Sequence, residues 1–258
     1  MNLNIVSWNC NGLRSVMGKK AFDNLFSWGN IDILCLQETR CPEDTLIVGI
    51  PEELSHRVLV PHDRKGYSGV AVFSKLPFEV VNIPTLEKGR CLCADFKSFY
   101  LLNLYVPNSK PDLSALPNRT TVWEPAVRKV VNKLQAKKPV IVVGDFNVGP
   151  TELDIYMVKP PKTHGATPTE REDFQKLLSE CKLTDIYRKL HPTVREWTWF
   201  SNFGNAREQY HGWRIDMFLL SSKLVDYVKS ACILRNMPGS DHVPISLELS
   251  SKKIKQGI

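Results

Sequence analysis

Short apolar segments that each end at polar side chains constrain this chain more than any other feature of its sequence. The clearest is Val140 to Val143, a β-branched run that continues directly into Gly144-Asp145-Phe146-Asn147. Such runs, alternating with helical patterns, are typical of strands buried in an α/β fold. In a strand of period two, Asp145 and Asn147 project to the same side. Positions just past the carboxyl end of a buried strand are where α/β folds hold their chemistry.

The same arrangement occurs in five further segments of the chain. An ordinary turn would explain one such polar strand end, but here the same explanation would be needed for all six segments. A convergent polar site is the better interpretation. The other polar residues at these strand ends are Asn9 and Asn11, Gln37 and Glu38, Tyr105 and Asn108, Asp216, and Asp241 with His242.

Helical patterns separate these strands. Apolar residues recur at helical spacing from Trp123 to Leu134, and a shorter pattern runs from Ala21 to Trp28. Thr167, Pro168 and Glu170 form a capping-box sequence, which predicts a helix that begins there. Strand–helix alternation followed by closing strands favours an α/β fold whose sheets are covered by helices. We expect a single domain over residues 1–250 and a short basic tail over 251–258.

Composition leaves an acidic partner open but does not require one. The 258 residues are 43% hydrophobic and carry a formal net charge of +7, a moderate basic excess. The seven cysteines form no CxxC or Cys/His cluster, which argues against structural zinc and against a disulfide framework. The sequence has neither a signal peptide nor a spanning segment. We therefore expect a protein of a reduced intracellular compartment, not secreted and not bound to a membrane.

Seven motifs, in this order, carry a resemblance to a known family: SWNCNGLRS, LQET, KGYSGVA, LYVPN, GDFNV, GWRIDMFLLS and GSDHVPI. Together they resemble the exonuclease III class of apurinic/apyrimidinic (AP) endonucleases, from Ile5 to Leu249. The wider endonuclease/exonuclease/phosphatase superfamily shares only the catalytic part. The resemblance implies a DNase I-like, four-layered α/β sandwich, in which two packed mixed β-sheets are flanked by helices.

The resemblance also implies a metal site. Hydrolysis of a phosphodiester needs an activated water and neutralisation of charge, which a hard cation with oxygen ligands supplies. Glu38 is the expected principal ligand of Mg²⁺, for which Mn²⁺ is the expected substitute. The amide oxygen of Asn9 lies beside it, and Asp241 completes or supports the site. Asp145 and Asn147 are expected at the same centre.

Two of these residues and three others are assigned catalytic roles by the resemblance. Asp145 orients or deprotonates the attacking water, and Asn147 holds the phosphate or the water by its amide. His242 contacts the scissile phosphate and is oriented by Asp216, whereas Tyr105 donates its hydroxyl to a phosphate oxygen. Whether Asp145, His242 or Tyr105 is the general base stays open.

Recognition of DNA is assigned to basic and aromatic residues. By resemblance, Trp199, Trp213 and Ile215 line a pocket for a flipped-out abasic deoxyribose, which costs least to flip because no base is unpaired. Phe203 and the Asn108 loop wedge the duplex open. The expected contacts to DNA are Arg14, Lys19, Lys65, Tyr67, Arg90, Asn108, Phe203 and Arg207.

Two departures limit the resemblance. Asn11 stands where some relatives have aspartate, which leaves one charge fewer near the metal. Pro111 replaces an arginine that some relatives insert into the major groove, so that contact is not expected.

The predicted function is therefore a Mg²⁺-dependent DNA repair endonuclease that cuts 5′ of abasic sites in duplex DNA. Cleaning of 3′ ends and 3′→5′ exonuclease activity are expected to accompany it. We expect a monomer located with the DNA, in the nucleus of a eukaryote or the cytoplasm of a prokaryote. The alternatives are a superfamily relative acting on another phosphoester, such as a nicking nuclease or an inositol or lipid phosphatase, and an inactive DNA-binding module.

Overall fold

The computed structural model describes residues 2–250, so the predicted basic tail, residues 251–258, lies outside the described residues. The chain forms fourteen strands within this range. They are β1 (Asn2–Asn9), β2 (Ile33–Gln37), β3 (His56–Val60), β4 (Val70–Ser74), β5 (Glu79–Val81), β6 (Cys91–Phe96), β7 (Phe99–Tyr105), β8 (Val140–Asp145), β9 (Leu183–Asp185), β10 (Trp199–Phe200), β11 (Gly212–Trp213), β12 (Asp216–Ser221), β13 (Val228–Ile233) and β14 (Ile245–Ser250).

Helices fill the connections between the strands. A π-helical turn at Arg119–Trp123 leads directly into the α-helix Glu124–Gln135, and a single 3₁₀ turn spans Glu152–Asp154. The α-helices are α1 (Leu13–Gly18), α2 (Ala21–Trp28), α3 (Leu116–Asn118), α4 (Glu124–Gln135), α5 (Pro168–Glu180), α6 (Ile186–Leu190) and α7 (Ser222–Val225).

Two six-stranded mixed sheets and one small two-stranded sheet are formed. The first has the strand order β13-β14-β1-β2-β4-β3, and the second has the order β5-β6-β7-β8-β12-β9. The pairs β1–β2 and β7–β8 are parallel, whereas β8 and β12 are antiparallel. The small sheet joins β10 and β11.

Three clusters of buried apolar side chains join the sheets and helices into layers. The central cluster combines side chains of both large sheets, among them Ile5 and Val70 of the first and Ile141 and Phe218 of the second. A second cluster packs α4 and α5 on the outer face of the second sheet, and a third packs α1 and α2 on the outer face of the first. The predicted four-layered α/β sandwich is confirmed.

Predictions that rest on residues close together in the sequence are confirmed. Thr167 caps α5: its hydroxyl accepts from the Glu170 N–H, and the Glu170 carboxylate accepts from the Thr167 N–H. The predicted strand at Val140 to Val143 lies within β8 and is fully buried. Within residues 2–250, no helix is both long enough and apolar enough to span a bilayer.

Candidate active site

Polar side chains from both large sheets meet at one edge of the sandwich. In the second sheet, Tyr105 is in register with Asp145, and Asp216 lies directly opposite Asp145 on the antiparallel neighbour. In the first sheet, Asn9 ends β1 beside Gln37, which ends β2. Since the two sheets pack face to face, the ends of β1, β2, β7 and β8 converge, as the sequence predicts.

Asp145 is the hub of this edge. It is 1% exposed, and its Oδ2 accepts a 2.9 Å hydrogen bond from the Asn9 amide, which links the two sheets. Its Oδ1 accepts from the Asn147 N–H at 2.8 Å, and Nε2 of His242 lies 3.9 Å from Oδ2. Burial, reinforced by the negative charge of Asp216, raises the pKa of the Asp145 carboxyl to about 7, against the opposing effect of His242.

Asn147 reaches Asp145 by a route that differs from the predicted one. Strand β8 ends at Asp145, and Asn147 has a left-handed backbone with φ of 49°. The period-two reasoning is therefore wrong, because a turn rather than a strand brings the two residues together. The Asn147 amide donates to Val106 O at 2.9 Å, and its oxygen accepts from Asn108 at 3.0 Å. This places the Asn147 side chain above the carboxylate.

His242 and Asp216 form a buried pair at the floor of the site. Nδ1 of His242 donates to Oδ2 of Asp216 at 2.8 Å, and His242 is 4% exposed. Burial opposes the charged imidazole, but Asp216, and with it Asp145 and Asp241, outweighs that effect and raises the pKa of His242 to about 10. The imidazolium form is thus present at neutral pH.

Glu38 faces the cleft from the first sheet. Its Oε1 accepts from the Asn9 amide nitrogen at 2.9 Å, and its Oε2 accepts from Nε of Arg40 at 3.0 Å. The Asn9 oxygen instead accepts from the N–H of Asn11. The amide nitrogen of Asn9 therefore faces both carboxylates, and the predicted role of its oxygen as a ligand would require the amide to turn.

Asp241 lies at the rim of the same cleft. Its Oδ1 accepts from the Asn11 amide at 2.8 Å, and its Oδ2 accepts from Nε1 of Trp199 at 3.2 Å. Despite burial, the charge of His242 and these hydrogen bonds lower its pKa below the usual range. Asp241 thus remains ionised and joins the predicted metal site to the predicted sugar pocket.

Tyr105 is suited to donate a proton in a hydrogen bond. Burial, together with the nearby charges of Glu38 and Asp145, raises its pKa well above the usual value. The ring also lies under the Arg90 guanidinium, 4.9 Å from centroid to Cζ. The phenol therefore stays neutral at physiological pH.

The donor set fits a hard divalent cation. Ligand atoms of Glu38, Asp145 and His242 lie within 4.8 Å of one another. The two carboxylates offer the oxygen ligands that Mg²⁺ prefers. His242 is committed through Nδ1 to Asp216 and is cationic, which makes it a better partner for a phosphate than for a metal.

The cleft that contains this centre has a volume of about 890 Å³ and an aromatic wall. Trp199 and Trp213 face each other across β10 and β11, with ring centroids 6.3 Å apart and planes at 86°. Ile215 lines the cleft between them and Asp216. Trp199 is also bridged to His242 through the backbone, so the predicted pocket adjoins the polar centre.

Most of the predicted DNA contacts lie on the surface, and Asn108 among them lines the cleft. Arg14, Lys65 and Tyr67 are exposed, and Phe203 is 86% exposed. Lys19 is exposed and donates to Gly239 O at 2.9 Å. Asn108 is exposed and tied to Asn147. Their contacts with DNA stay predictions.

Arg90 is buried, whereas a DNA contact is expected to be exposed. It is 4% exposed, its Nε donates to Glu87 at 2.9 Å, and its Nη2 donates to the Tyr67 hydroxyl at 2.5 Å. The guanidinium lies between the Tyr67 and Tyr105 rings, so it presents no free surface to a phosphate. Arg90 thus supports the two tyrosines, and its direct contact with DNA stays a prediction that this burial disfavours.

Arg207 stabilises a loop of the protein, in addition to its predicted contact with DNA. Its Nη1 and Nη2 donate to Ser240 O at 2.7 Å and to Met237 O at 2.5 Å. These bonds hold the loop that carries Asp241 and His242. Contact of the same guanidinium with a phosphate stays a prediction.

Sequence reasoning missed two features of the cleft. Arg40 clamps Glu38, and the only signal was its position two residues later in LQETR. Tyr156 and His211 stack with ring centroids 3.6 Å apart and line the cleft beyond Trp213. They come from segments far apart in the chain, so no local pattern indicates their contact.

Comparisons with known proteins agree with this geometry. The model of the Endonuclease/Exonuclease/phosphatase family matches residues 6–242. The chain is 38% identical to the DNA repair nuclease APEX1 of Danio rerio, over 96% of this chain and 83% of that protein. It is 35% identical to an exodeoxyribonuclease of Bacillus subtilis, over 95% of this chain and 98% of that protein. The structure of an AP endonuclease from Leishmania major superposes with a TM-score of 0.86 at 27% identity, covering 96% of this chain and 87% of that one.

Proposed function

This chain belongs to the Endonuclease/Exonuclease/phosphatase family, and from that premise we propose how its cleft carries out the reaction. It is a metal-dependent DNA repair nuclease that hydrolyses the phosphodiester 5′ of abasic sites, with 3′-end cleaning and 3′→5′ exonuclease activity. In our proposal residues 1–250 act as one catalytic domain and as a monomer, located with the DNA: in the nucleus of a eukaryote or the cytoplasm of a prokaryote.

One observation carries the proposed roles. Asp145 is buried between the Asn9 and Asn147 amides, with the His242 imidazolium 3.9 Å away. A carboxylate whose pKa is raised to about 7, beside a fixed cation, combines a base with an anion-binding group.

His242 and Tyr105 bind the scissile phosphate in this proposal. Asp216 keeps the imidazole oriented and charged, so that Nε2 donates to a phosphate oxygen throughout the reaction. Tyr105 donates its neutral hydroxyl to another oxygen, and the Asn147 amide holds a third or the attacking water. Charge that develops in the transition state thereby meets donors that are already in place.

Asp145 is the general base in this proposal. The imidazolium of His242 has no free lone pair at neutral pH, and Tyr105 retains its proton. Asp145 alone has a pKa near the operating pH, where a base is most effective. Its Oδ1 and Oδ2 are already aligned by Asn147 and Asn9, which fixes the direction of proton transfer.

Glu38 would hold the divalent cation, which we propose to be Mg²⁺ with Mn²⁺ as a substitute. Asp145 and the amides of Asn9 and Asn147 border the same space. When bound, the cation supplies Lewis-acid stabilisation of charge on the phosphate and on the leaving oxygen. Arg40, which donates to the same carboxylate, must give up part of its contact for Glu38 to serve as a ligand.

Selection of abasic sites is assigned to the aromatic wall. Trp199, Trp213 and Ile215 enclose an apolar space beside His242 that suits a deoxyribose without a base. Because the Trp199 indole donates to Asp241, the pocket wall is braced against the polar centre. Exposed Lys65 and Arg14 would grip the flanking phosphates without reading sequence.

Incubation with three substrates tests the function. An abasic-site duplex, an intact duplex and inositol phosphates are each offered with EDTA, with Mg²⁺ or with Mn²⁺. We expect metal-dependent incision of the abasic duplex at least about 10²-fold faster than cutting of the intact duplex or release of phosphate from inositol phosphates, as expected for a fitted pocket. Faster release from inositol phosphates would assign the cleft to a phosphatase, and equal cutting of intact duplex would assign it to a nicking nuclease.

A further inference from the structure

A buried arginine, distant in sequence, holds the backbone of the turn that carries Asn147. Arg119 is 1% exposed and lies in the π-helical turn before α4. Its Nη2 donates to Phe146 O at 2.7 Å and its Nη1 donates to Asn147 O at 2.8 Å. Guanidinium nitrogens form a rigid fork, so two consecutive carbonyls are fixed relative to each other by one side chain.

This turn needs external support. Asn147 has φ of 49°, a left-handed conformation that residues other than glycine adopt only where their surroundings enforce it. The space around it is tight, since a Cβ built on Gly165 would lie 3.2 Å from Asn147 O. The two carbonyls bonded to Arg119 flank the Asn147 nitrogen and Cα, and so determine where its side chain points.

The charge of Arg119 is balanced by two buried carboxylates, Glu124 at 3.5 Å from Nε and Glu170, and Glu170 also supports the same turn. Nη1 lies 3.1 Å from Oε1 of Glu170, which is 1% exposed. Oε1 also accepts from the Ser109 hydroxyl, and Ser109 follows Asn108, whose amide donates to Asn147 Oδ1. The ion pair thus holds the backbone of Asn147 directly and its side chain through the neighbouring segment.

We propose that Arg119, paired with Glu170, is a positioning residue for the hydrolytic reaction, acting through Asn147 and the hydrogen bond from its N–H to Asp145. The proposal rests on the proposed function, in which Asn147 binds the phosphate or the water. It assigns a mechanistic role to a residue that touches neither substrate nor metal. We therefore expect the ion pair to influence kcat more than the affinity for DNA, because Asn108 is the one predicted DNA contact that the described hydrogen bonds tie to this turn.

The test compares variants on an abasic-site duplex with Mg²⁺. Arg119→Met removes the fork. Arg119→Met/Glu170→Gln also removes the charge of Glu170, so that of the two carboxylates only the more distant Glu124 keeps its charge, and this double change provides a second variant if the single change does not fold. Arg119→Lys restores the charge and one donor. The matched control is Arg128→Met in α4, since Arg128 pairs with Asp173 and Glu180 of α5 but bonds to no atom of the turn. For each variant, kcat, KM and the thermal midpoint are measured.

We expect the double variant to lower kcat by about 10- to 100-fold with KM nearly unchanged, as for a displacement of about 1 Å at a reacting group. Arg119→Lys should recover part of this loss, and Arg128→Met should lower the thermal midpoint without lowering kcat. In an Asn147→Ala background, the Arg119 and Glu170 changes should have little further effect on kcat.

Two results overturn the proposal and are distinguishable from a failure of the proposed function. If the changes reduce kcat as much in the Asn147→Ala background as in the original chain, Arg119 acts independently of Asn147. If Arg128→Met lowers kcat equally at equal loss of stability, the effect is one of folding. If Asn147→Ala itself retains full activity, the proposed function of Asn147 fails first, and the inference with it.

Discussion

Asp216 and Asp145 occupy directly opposed positions on antiparallel strands, and His242 is shared between them. Nδ1 of His242 is 2.8 Å from Asp216, whereas Nε2 is 3.9 Å from Asp145. One carboxylate is thus a hydrogen-bond partner and the other only a neighbour. This difference fits the different roles proposed for the two carboxylates, Asp216 in orienting the imidazolium of His242 and Asp145 in accepting a proton.

Asp216→Asn tests the first role. The amide keeps the shape but removes the charge, so the pKa of His242 should fall and the imidazolium should be lost at a lower pH than in the original chain. We expect kcat to drop by about 10²-fold at neutral pH and the alkaline limb of the pH–rate profile to move to lower pH. The profile of kcat from pH 6 to 10 is the measurement. An unshifted alkaline limb would mean that His242 does not act as a cation.

Glu38→Ala tests the metal site. Loss of the principal ligand should lower kcat at limiting Mg²⁺ by about 10²-fold, or ~3 kcal/mol of transition-state stabilisation. Binding of an abasic duplex in EDTA should be nearly unchanged, because no surface contact is altered. Raising Mg²⁺ or adding Mn²⁺ should restore part of the activity. Wild-type rates at limiting Mg²⁺ would place the metal elsewhere.

Trp213→Ala tests the sugar pocket. Abasic incision depends on close placement of the flipped sugar, whereas removal of a matched 3′ nucleotide depends on it less, so the ratio of the two rates should fall, mainly through incision. Trp213 is only partly buried, and its loss should therefore destabilise the fold by less than the ~3–5 kcal/mol of a fully buried tryptophan. Both rates are measured on folded protein at one concentration. An equal fall in both rates would make Trp213 a core residue.

Arg90→Met and Lys65→Met form a matched pair around Tyr67. Lys65 is exposed, and its loss should reduce the slope of log KM against log salt by about 1, as for one phosphate contact. Arg90 is buried against Tyr67 and Tyr105, so its loss should leave the slope unchanged and lower kcat through displacement of Tyr105. If the slopes of the two variants changed alike, Arg90 would contact a phosphate as Lys65 is expected to do.

The sequence predicts features that depend on neighbours in the chain. The Thr167–Glu170 capping box and the buried run ending at Asp145 are local signals, and both are confirmed. The seven motifs predict the architecture as a whole only through their resemblance to a family that has this fold.

Features that depend on distant contacts were not predictable in this way. Arginine is usually a surface residue, but the side chains of Tyr67 and Tyr105 bury Arg90. Arg119 bonds to carbonyls of residues 146 and 147 and to a helix terminus at Glu170. A buried arginine is stable only with a full set of acceptors, and those acceptors come from segments that the sequence does not place side by side.

The pairing of β1 with β14 has a consequence for synthesis on the ribosome. Asn2 is in register with Ser250, and β1 lies inside its sheet between β14 and β2. A nascent chain therefore carries β1 with one edge unpaired until almost all of this fold has emerged, and unpaired edges invite association with other chains. Asp241 and His242 immediately precede β14, so the final strand to dock also completes the catalytic centre. A chain that stops before Asp241 would lack two residues of the proposed catalytic centre and would leave that edge of β1 unpaired.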